Sequence, residues 1–250
     1  SFAVGASGII VSPGAAAESG NVGLLAEQIR IAKQLLDGLG YPAEAISIIE
    51  PDSGPVNLSA LIPRVENPPK SAEYITELPK RDLARWAVQH LAARNGVGEG
   101  VISLPAGVPF GEVTLENENC TLCMACASLC PAEALFPAGN SAPGLLFRES
   151  SCIQCGLCAA GCPENALSLN PEFHLRAIQS QTPVYLKQEE PFACIRCGRP
   201  FAPPAMIAAI LSRLSGHWMF GTETERRRLQ MCRTCRIKDM YENKEESGLK

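Results

Sequence analysis

Apolar and polar positions in the first hundred residues follow two periods in turn. Ile9, Ile10 and Val11 form a short apolar run and predict a strand. Leu25, Ile29, Ala32, Leu36 and Leu39 then recur at helical spacing, with Gly38 and Gly40 as stop signals. Ile46, Ile48 and Ile49 predict a second strand, and Pro51-Asp52-Ser53-Gly54-Pro55 a turn. Residues 51–70 are rich in proline and predict irregular chain. Leu83, Trp86, Ala87, His90 and Leu91 make a second helical stripe, stopped near Asn95-Gly96 and followed by the strand-like Val101-Ile102-Ser103-Leu104. Helical and strand periods in alternation predict an α/β region. Gly5-Ala6-Ser7-Gly8 and Ser12-Pro13-Gly14 read as turns beside the first strand, because neither carries the lysine of a phosphate loop or the full dinucleotide fingerprint. His90, on its apolar stripe, reads as a core or interface residue.

Beyond residue 105 the informative pattern is cysteine spacing. All twelve cysteines lie from Cys120 onward, a composition shift that marks a domain boundary. Eight of them form two copies of C-x2-C-x2-C-x3-C-P: Cys120, Cys123, Cys126 and Cys130 before Pro131, and Cys152, Cys155, Cys158 and Cys162 before Pro163. This run resembles the bacterial ferredoxin signature, in which two copies specify two 4Fe–4S clusters and the fourth cysteine of each copy ligates the other cluster. The expected ligand sets are therefore Cys120, Cys123, Cys126 and Cys162 for one cluster, and Cys152, Cys155, Cys158 and Cys130 for the other. After the third cysteine the chain is expected to turn away into a helix that Pro131 or Pro163 can open. A disulfide framework would need an oxidising compartment, and paired zinc sites do not call for runs ending in Cys-Pro.

The flanks of the two copies repeat as well. Val113-Thr-Leu-Glu116 precedes the first and Leu145-Leu-Phe-Arg148 the second, while Cys130-Pro-Ala-Glu-Ala-Leu135 matches Cys162-Pro-Glu-Asn-Ala-Leu167. The prediction is a pseudo-two-fold strand–loop–helix–strand unit. Between Cys120 and Cys162 only Glu133, Arg148 and Glu149 are charged, which suits a unit that docks against protein better than a free acidic carrier.

The remaining four cysteines form two C-x2-C knuckles, Cys194/Cys197 and Cys232/Cys235, with 34 residues between them. They predict one tetrahedral four-thiolate site, most simply structural zinc, with rubredoxin-like iron or a third Fe–S cluster as alternatives. Gly198 permits a tight turn that frees backbone N–H groups for the sulfurs. Met206, Ile207, Ile210, Leu211 and Leu214 predict a helix between the knuckles. Arg226-Arg227-Arg228 is offset by Glu223, Glu225 and the acidic residues of 242–246, so it reads as a solvated or partner-facing helix.

Size and charge narrow the function classes. The 250 residues accommodate two to three small domains, and a net charge of −4 argues against nucleic acid as a partner. No apolar run is long enough to cross a bilayer, and no secretory signal opens the sequence. Iron-binding thiolates call for a reducing compartment, so a cytoplasmic location is expected. The chain starts at Ser1 in an apolar segment and is expected to be a piece of something longer. The expected division is an α/β domain over 1–105, an α+β dicluster ferredoxin domain over 106–175, a zinc-ribbon-like four-cysteine module with helices over 190–241, and a charged tail over 242–250.

Leu104-Pro-Ala-Gly-Val-Pro-Phe-Gly111, the cysteine repeat, Pro191-Phe-Ala-Cys-Ile-Arg-Cys-Gly198, His217-Trp-Met-Phe220, Arg227-Arg-Leu-Gln-Met-Cys232 and Cys235-Arg-Ile-Lys-Asp-Met240 together resemble the C-terminal end of long bacterial multi-cluster 4Fe–4S proteins. Members of that family accompany molybdenum- or tungsten-dependent formate dehydrogenases. Residues 25–41 and the isoleucine-rich strand after them resemble the delta subunit of methyl-viologen-reducing hydrogenases, though without that subunit's 2Fe–2S cysteines, so the likeness extends to the scaffold alone. The resemblance implies an electron-transfer module, not catalytic by itself, partnered with catalytic and other electron-transfer subunits of an oxidoreductase. The rivals are an accessory protein for assembly of a molybdenum or tungsten enzyme, a relay of a hydrogenase/heterodisulfide reductase-like complex, and a zinc-ribbon nucleic-acid binder, the last disfavoured by net acidity.

Overall fold

The computed structural model describes residues 1–12, 19–49, 57, 77–139, 142–175 and 182–243. Pro13 and Gly14, the expected turn at Pro51–Pro55, the proline-rich run and residues 244–250 of the tail lie outside them. The chain forms two compact units, each assembled from two stretches: Ser1–Glu112 with Pro171–Gln181, and Val113–Asn170 with Thr182–Lys250.

The first unit opens with strand β1 (Ile9–Val11), helix α1 (Ser19–Gly38) and strand β2 (Ile46–Ile48). β1 and β2 pair in parallel, Ile9 with Ile46 and Val11 with Ile48, so α1 is the crossover that such a pair requires. Helix α2 (Lys80–Arg94) and strand β3 (Val101–Ser103) follow. Ile29, Leu36 and Leu39 from the first predicted stripe are buried together with Ile46, Leu91 and Ile102. β3 buries Ile102 and leaves Val101 and Ser103 exposed. It pairs antiparallel with the far end of a later strand, β7 (Leu167–His174), at Ile102 with Phe173. One residue departs from the α2 stripe. Arg85 is buried, with its guanidinium 5.5 Å from the Phe173 ring centroid and 6.0 Å from that of Phe110, so aromatic faces receive its charge.

The end of α1 shows why Gly40 is where it is. Tyr41 N–H donates to Leu36 O and Gly40 N–H to Asp37 O, a Schellman closure, and Gly40 takes φ +75°. A Cβ at Gly40 would lie 2.5 Å from Asn95 Nδ2, which itself donates to Leu39 O at 2.7 Å. Gly40→Ala is expected to destabilise this unit by about 2–3 kcal/mol, the left-handed penalty plus one displaced hydrogen bond. Urea unfolding followed by Trp86 fluorescence in a Trp218→Phe background measures it; an unchanged midpoint would rule the argument out.

The second unit carries the repeat. Its first copy runs from strand β4 (Gly111–Leu115) through helix α3 (Ala125–Leu129) to strand β5 (Leu135–Pro137). Its second runs from strand β6 (Gly144–Phe147) through helix α4 (Leu157–Ala160) to the first half of β7, which neighbours β4. β6 is the middle strand of an antiparallel sheet between β5 and strand β8 (Val184–Gln188). Val113, Leu122, Leu135, Leu145, Phe147 and Leu167 form the core around buried cysteines.

The helix expected to open at Pro131 or Pro163 is not there. Each copy's helix lies before the fourth cysteine, with the third cysteine in its first turn, and the proline begins a turn instead. The reason is local: Glu133 and Asn165 both take φ +49°, which ends any helical continuation. The two copies also fit each other by being unequal. Leu129 and Gly161 are equivalent positions, and a Cβ at Gly161 would lie 2.1 Å from Leu129 Cδ1, so the missing side chain makes room for the leucine.

The C-terminal part adds the hairpin of β9 (Phe192–Ala193) and β10 (Pro200–Ala202), then helices α5 (Pro204–Leu214), α6 (Glu223–Leu229) and α7 (Arg233–Glu242). Thr222 and Glu225 close α6 with a reciprocal capping box. The expectation of a solvated arginine run needs one correction: Arg228 is buried, and its Nε donates to Asp239 at 2.7 Å, tying α6 to α7. Helical spacing turns Arg228 toward α7. No helix among the described residues is long and apolar enough to cross a membrane.

Candidate metal centres

The eight cysteines of the repeat line two small cavities of about 20 Å³ each. Cys120, Cys123, Cys126 and Cys162 line the first, and Cys152, Cys155, Cys158 and Cys130 the second. Each cavity thus takes three cysteines from one motif and the fourth from the other. Cys120, Cys126, Cys152 and Cys158 are buried, Cys130 and Cys162 half-buried, and Cys123 and Cys155 exposed.

The loops that present them share an unusual backbone. Leu122 and Gln154 both have φ +54°, Met124 has +62° and Gly156 +79°, and Glu133 and Asn165 have +49°. These are three pairs of equivalent positions. Five of the six residues are not glycine, and each such residue costs about 1–2 kcal/mol in this region. The same turns aim amides at sulfur. Leu122 N–H donates to Cys120 Sγ at 3.4 Å, Ala134 N–H to Cys130 Sγ at 3.2 Å, and Ala166 N–H to Cys162 Sγ at 3.3 Å. Gln154 adds a side-chain amide at 3.6 Å from Cys152 Sγ. Such donors stabilise charge on a thiolate or on a cluster it holds. Burial pushes the Cys126 thiol up to about 12, the Cys158 thiol up to about 11, and Cys120 in the same direction. Only a metal that displaces the protons brings these groups to the ionised state near neutrality.

The second centre is of another kind. Cys194, Cys197, Cys232 and Cys235 bring their sulfurs within 4.8 Å of one another, with Cys197 Sγ and Cys232 Sγ 3.8 Å apart. That is about the edge of a tetrahedron whose centre lies roughly 2.3 Å from each sulfur, a single-ion geometry. The eight repeat cysteines form no group that tight among the described residues. The hairpin of β9 and β10 supplies the first knuckle, closed by Gly198 at φ +71° with its N–H on Cys194 O. The start of α7 supplies the second. Burial raises the Cys194 pKa, but backbone N–H groups of Cys232, Arg196 and Cys197 outweigh it and bring the thiol down to about 6. A hydrogen bond with Cys197, then burial, pushes Cys235 up to about 12. His217 instead accepts from Met219 N–H through Nδ1 and is no part of the group.

A third cluster of ligand-type atoms escaped the sequence reading. Glu112, Glu172 and His174, in the first unit, have their ligand atoms within 4.8 Å, and His174 Nε2 lies 2.8 Å from Glu172 Oε1. Alternation in β7 puts Glu172 and His174 on one face, a signal the sequence did contain. The ring and the carboxylate already partner each other.

Comparison with known families agrees with the central part. Residues 113–136 match the 4Fe-4S binding domain family, and residues 151–201 the 4Fe-4S dicluster domain family. No curated protein matches the chain. The second match runs past Cys162 to include Cys194 and Cys197, whose sulfurs converge with those of Cys232 and Cys235. The chain therefore contains a ferredoxin-type iron–sulfur domain of α+β architecture, preceded by an α/β region and followed by a four-cysteine cluster with flanking helices.

Proposed function

We propose that this protein is an electron-transfer subunit that relays single electrons through two 4Fe–4S clusters within a larger cytoplasmic oxidoreductase of formate dehydrogenase type. The observation that carries the reading is the pair of cavities, each combining three cysteines of one motif with the fourth of the other. Crossed sets of this kind are what two cubanes in one ferredoxin fold require. When bound, such clusters supply one-electron chemistry at four thiolates apiece. The protein's share is to hold the thiolates, turn backbone amides toward them and keep water out with Val113, Leu122, Leu135, Leu145, Phe147 and Leu167. Cys123 and Cys155 are each cavity's exposed member and mark where an electron can enter or leave. Ile153 and Leu157, both exposed beside Cys155, suit a protein partner there. The formate dehydrogenase link rests on the sequence resemblance.

In the same reading Cys194, Cys197, Cys232 and Cys235 hold one zinc ion. The sulfur spacing favours a single ion over a third cluster, whose larger frame needs wider-set thiolates. Zinc has no redox step, so this site braces the C-terminal helices.

Metal and acid-labile sulfide analysis of anaerobically prepared protein is expected to give about eight irons, about eight sulfides and about one zinc. About nine irons without zinc would replace the zinc with a rubredoxin-like iron. About four irons would overturn the two-cluster relay. Stoichiometric recovery in an active oxidoreductase checks the subunit role; loss of the protein on enzyme maturation would point to an assembly factor.

A further inference from the structure

The two cysteine-lined cavities are matched in much that sets a cluster's potential. Each has two buried cysteines and one exposed cysteine from its own motif, and a half-buried fourth from the other. Each fourth cysteine accepts a backbone N–H, from Ala166 at Cys162 and from Ala134 at Cys130. The charges around them differ. The residues lining the cavity of Cys152, Cys155, Cys158 and Cys130 include no charged side chain. The other cavity is lined by Glu164, whose carboxylate is taken up by Arg213 at 2.5 Å, and beside it stands Lys187. Lys187 Nζ donates to Cys120 O at 2.6 Å and to Asn117 O at 2.8 Å. The side chain is only 11% exposed.

A break in the strand register puts a lysine there. Leu145 of β6 pairs with Lys187, but Leu146 pairs with Tyr185, so Leu186 and Lys187 together oppose Leu145 in a bulge. Leu145 is buried and lines the first cavity; Tyr185 is exposed. The bulge thereby turns Lys187 to the inner face alongside Leu186, which packs on the core. Its counter-charge is Glu189, Oε1 at 2.9 Å from Nζ, whose other oxygen accepts Ala205 N–H at the start of α5. Lys187, Glu189, Glu164 and Arg213 make two ion pairs, and of these the ammonium is the charge bonded to the cysteine loop itself.

We propose that Lys187 sets the direction of electron flow: its ammonium makes the site of Cys120, Cys123, Cys126 and Cys162 the better electron acceptor of the two. This rests on the two-cluster reading above. Reduction adds one negative charge to a cluster, and a nearby fixed cation stabilises the reduced form more than the oxidised one. Low exposure limits the screening of that attraction. The electron then passes from the second site, oxidised by one, to the first, reduced by one, and no bond is made or broken. Glu189 tempers the effect, leaving the positive end of the pair on Cys120 O. The uncharged amide of Gln154 on Cys152 is a weaker counterpart at the other site. The competing role is protective, since an inward-pointing charge discourages pairing at an edge strand such as β8. That role moves stability and leaves a potential alone.

The test is an EPR-monitored dithionite titration of the wild-type chain and of Lys187→Met, Lys187→Arg and Glu189→Gln, after iron and sulfide analysis of each. Hyperfine-shifted cysteine β-proton signals assign the cluster that moves. Lys187→Met is expected to shift the electron's partition about tenfold away from the first site, a fall of about 59 mV in that midpoint alone. Lys187→Arg should hold the midpoint, and Glu189→Gln should raise it. Intact clusters with unmoved midpoints, or equal movement of both, overturn the proposal. If Lys187→Met fails to hold its clusters, an unmoved midpoint in Glu189→Gln overturns it instead. A wild-type chain without two clusters would sink the relay reading itself.

Discussion

Replacing Cys162 with serine is expected to cost the cluster bound mainly by the first motif, and replacing Cys130 the cluster bound by the second. Cys162 lines the cavity of Cys120, Cys123 and Cys126, while Cys130 lines that of Cys152, Cys155 and Cys158. A hydroxyl in place of a thiolate leaves three soft ligands and an open corner on the cluster. Iron in each variant should fall from about eight toward about four per chain. The sign of the crossing is the informative part. If Cys162→Ser spared the β-proton signals of Cys120, Cys123 and Cys126 and erased those of Cys152, Cys155 and Cys158, the cavities would be misread as ligand sets.

Removing Cys232 is the second large effect. Cys194, Cys197 and Cys235 then lack a complete shell, and Cys232 N–H and Sγ both belong to the thiolate network around Cys194 and Cys197. The hydrophobic support here is small: Met231 and the partly buried Phe201 with the cysteines themselves. Metal binding therefore carries much of the folding free energy, as in small zinc modules where it amounts to about 10–16 kcal/mol. Cys232→Ser is expected to lower zinc affinity well beyond the roughly 10–100-fold that loss of an outer hydrogen-bond partner costs. Proteolysis should then cut between β9 and α7, while both clusters still reduce with dithionite. Slowed reduction in a variant that keeps its fold and its partner would instead make this site a redox centre.

Local pattern carried much of the fold. The stripes through Leu36 and Leu91 and the apolar runs at Ile9 and Ile46 became α1, α2, β1 and β2, since burial of one face is a property of neighbouring residues. Cysteine spacing named the ligand-type residues for the same reason. What depends on distant chain was not legible. Nothing in Val184–Gln188 announces its pairing with β6, still less the bulge that turns Lys187 inward. Arg228 sat in a run of three equal arginines, and only α7 with Asp239 distinguishes it. The misplaced helix at Pro131 has a different cause. Proline suits a first helical turn, but the left-handed residue two positions later forbids one, and a glutamate at position 133 does not announce a positive φ.

The path of β7 has a consequence for synthesis. Its far end, Glu172 to His174, is the partner of β3, so the N-terminal unit closes its sheet only with residues made after both cysteine motifs. As the chain leaves the ribosome, Cys120 through Cys162 are already outside while Ile102 still waits for Phe173. Iron and sulfide thus have access to the loops before the first unit is complete, and long-range closure of this kind is intrinsically slow. The order built into the connectivity is cysteine loops first, then the β3–β7 pair of the first unit, and last β8 with Lys187 against the loop of Cys120.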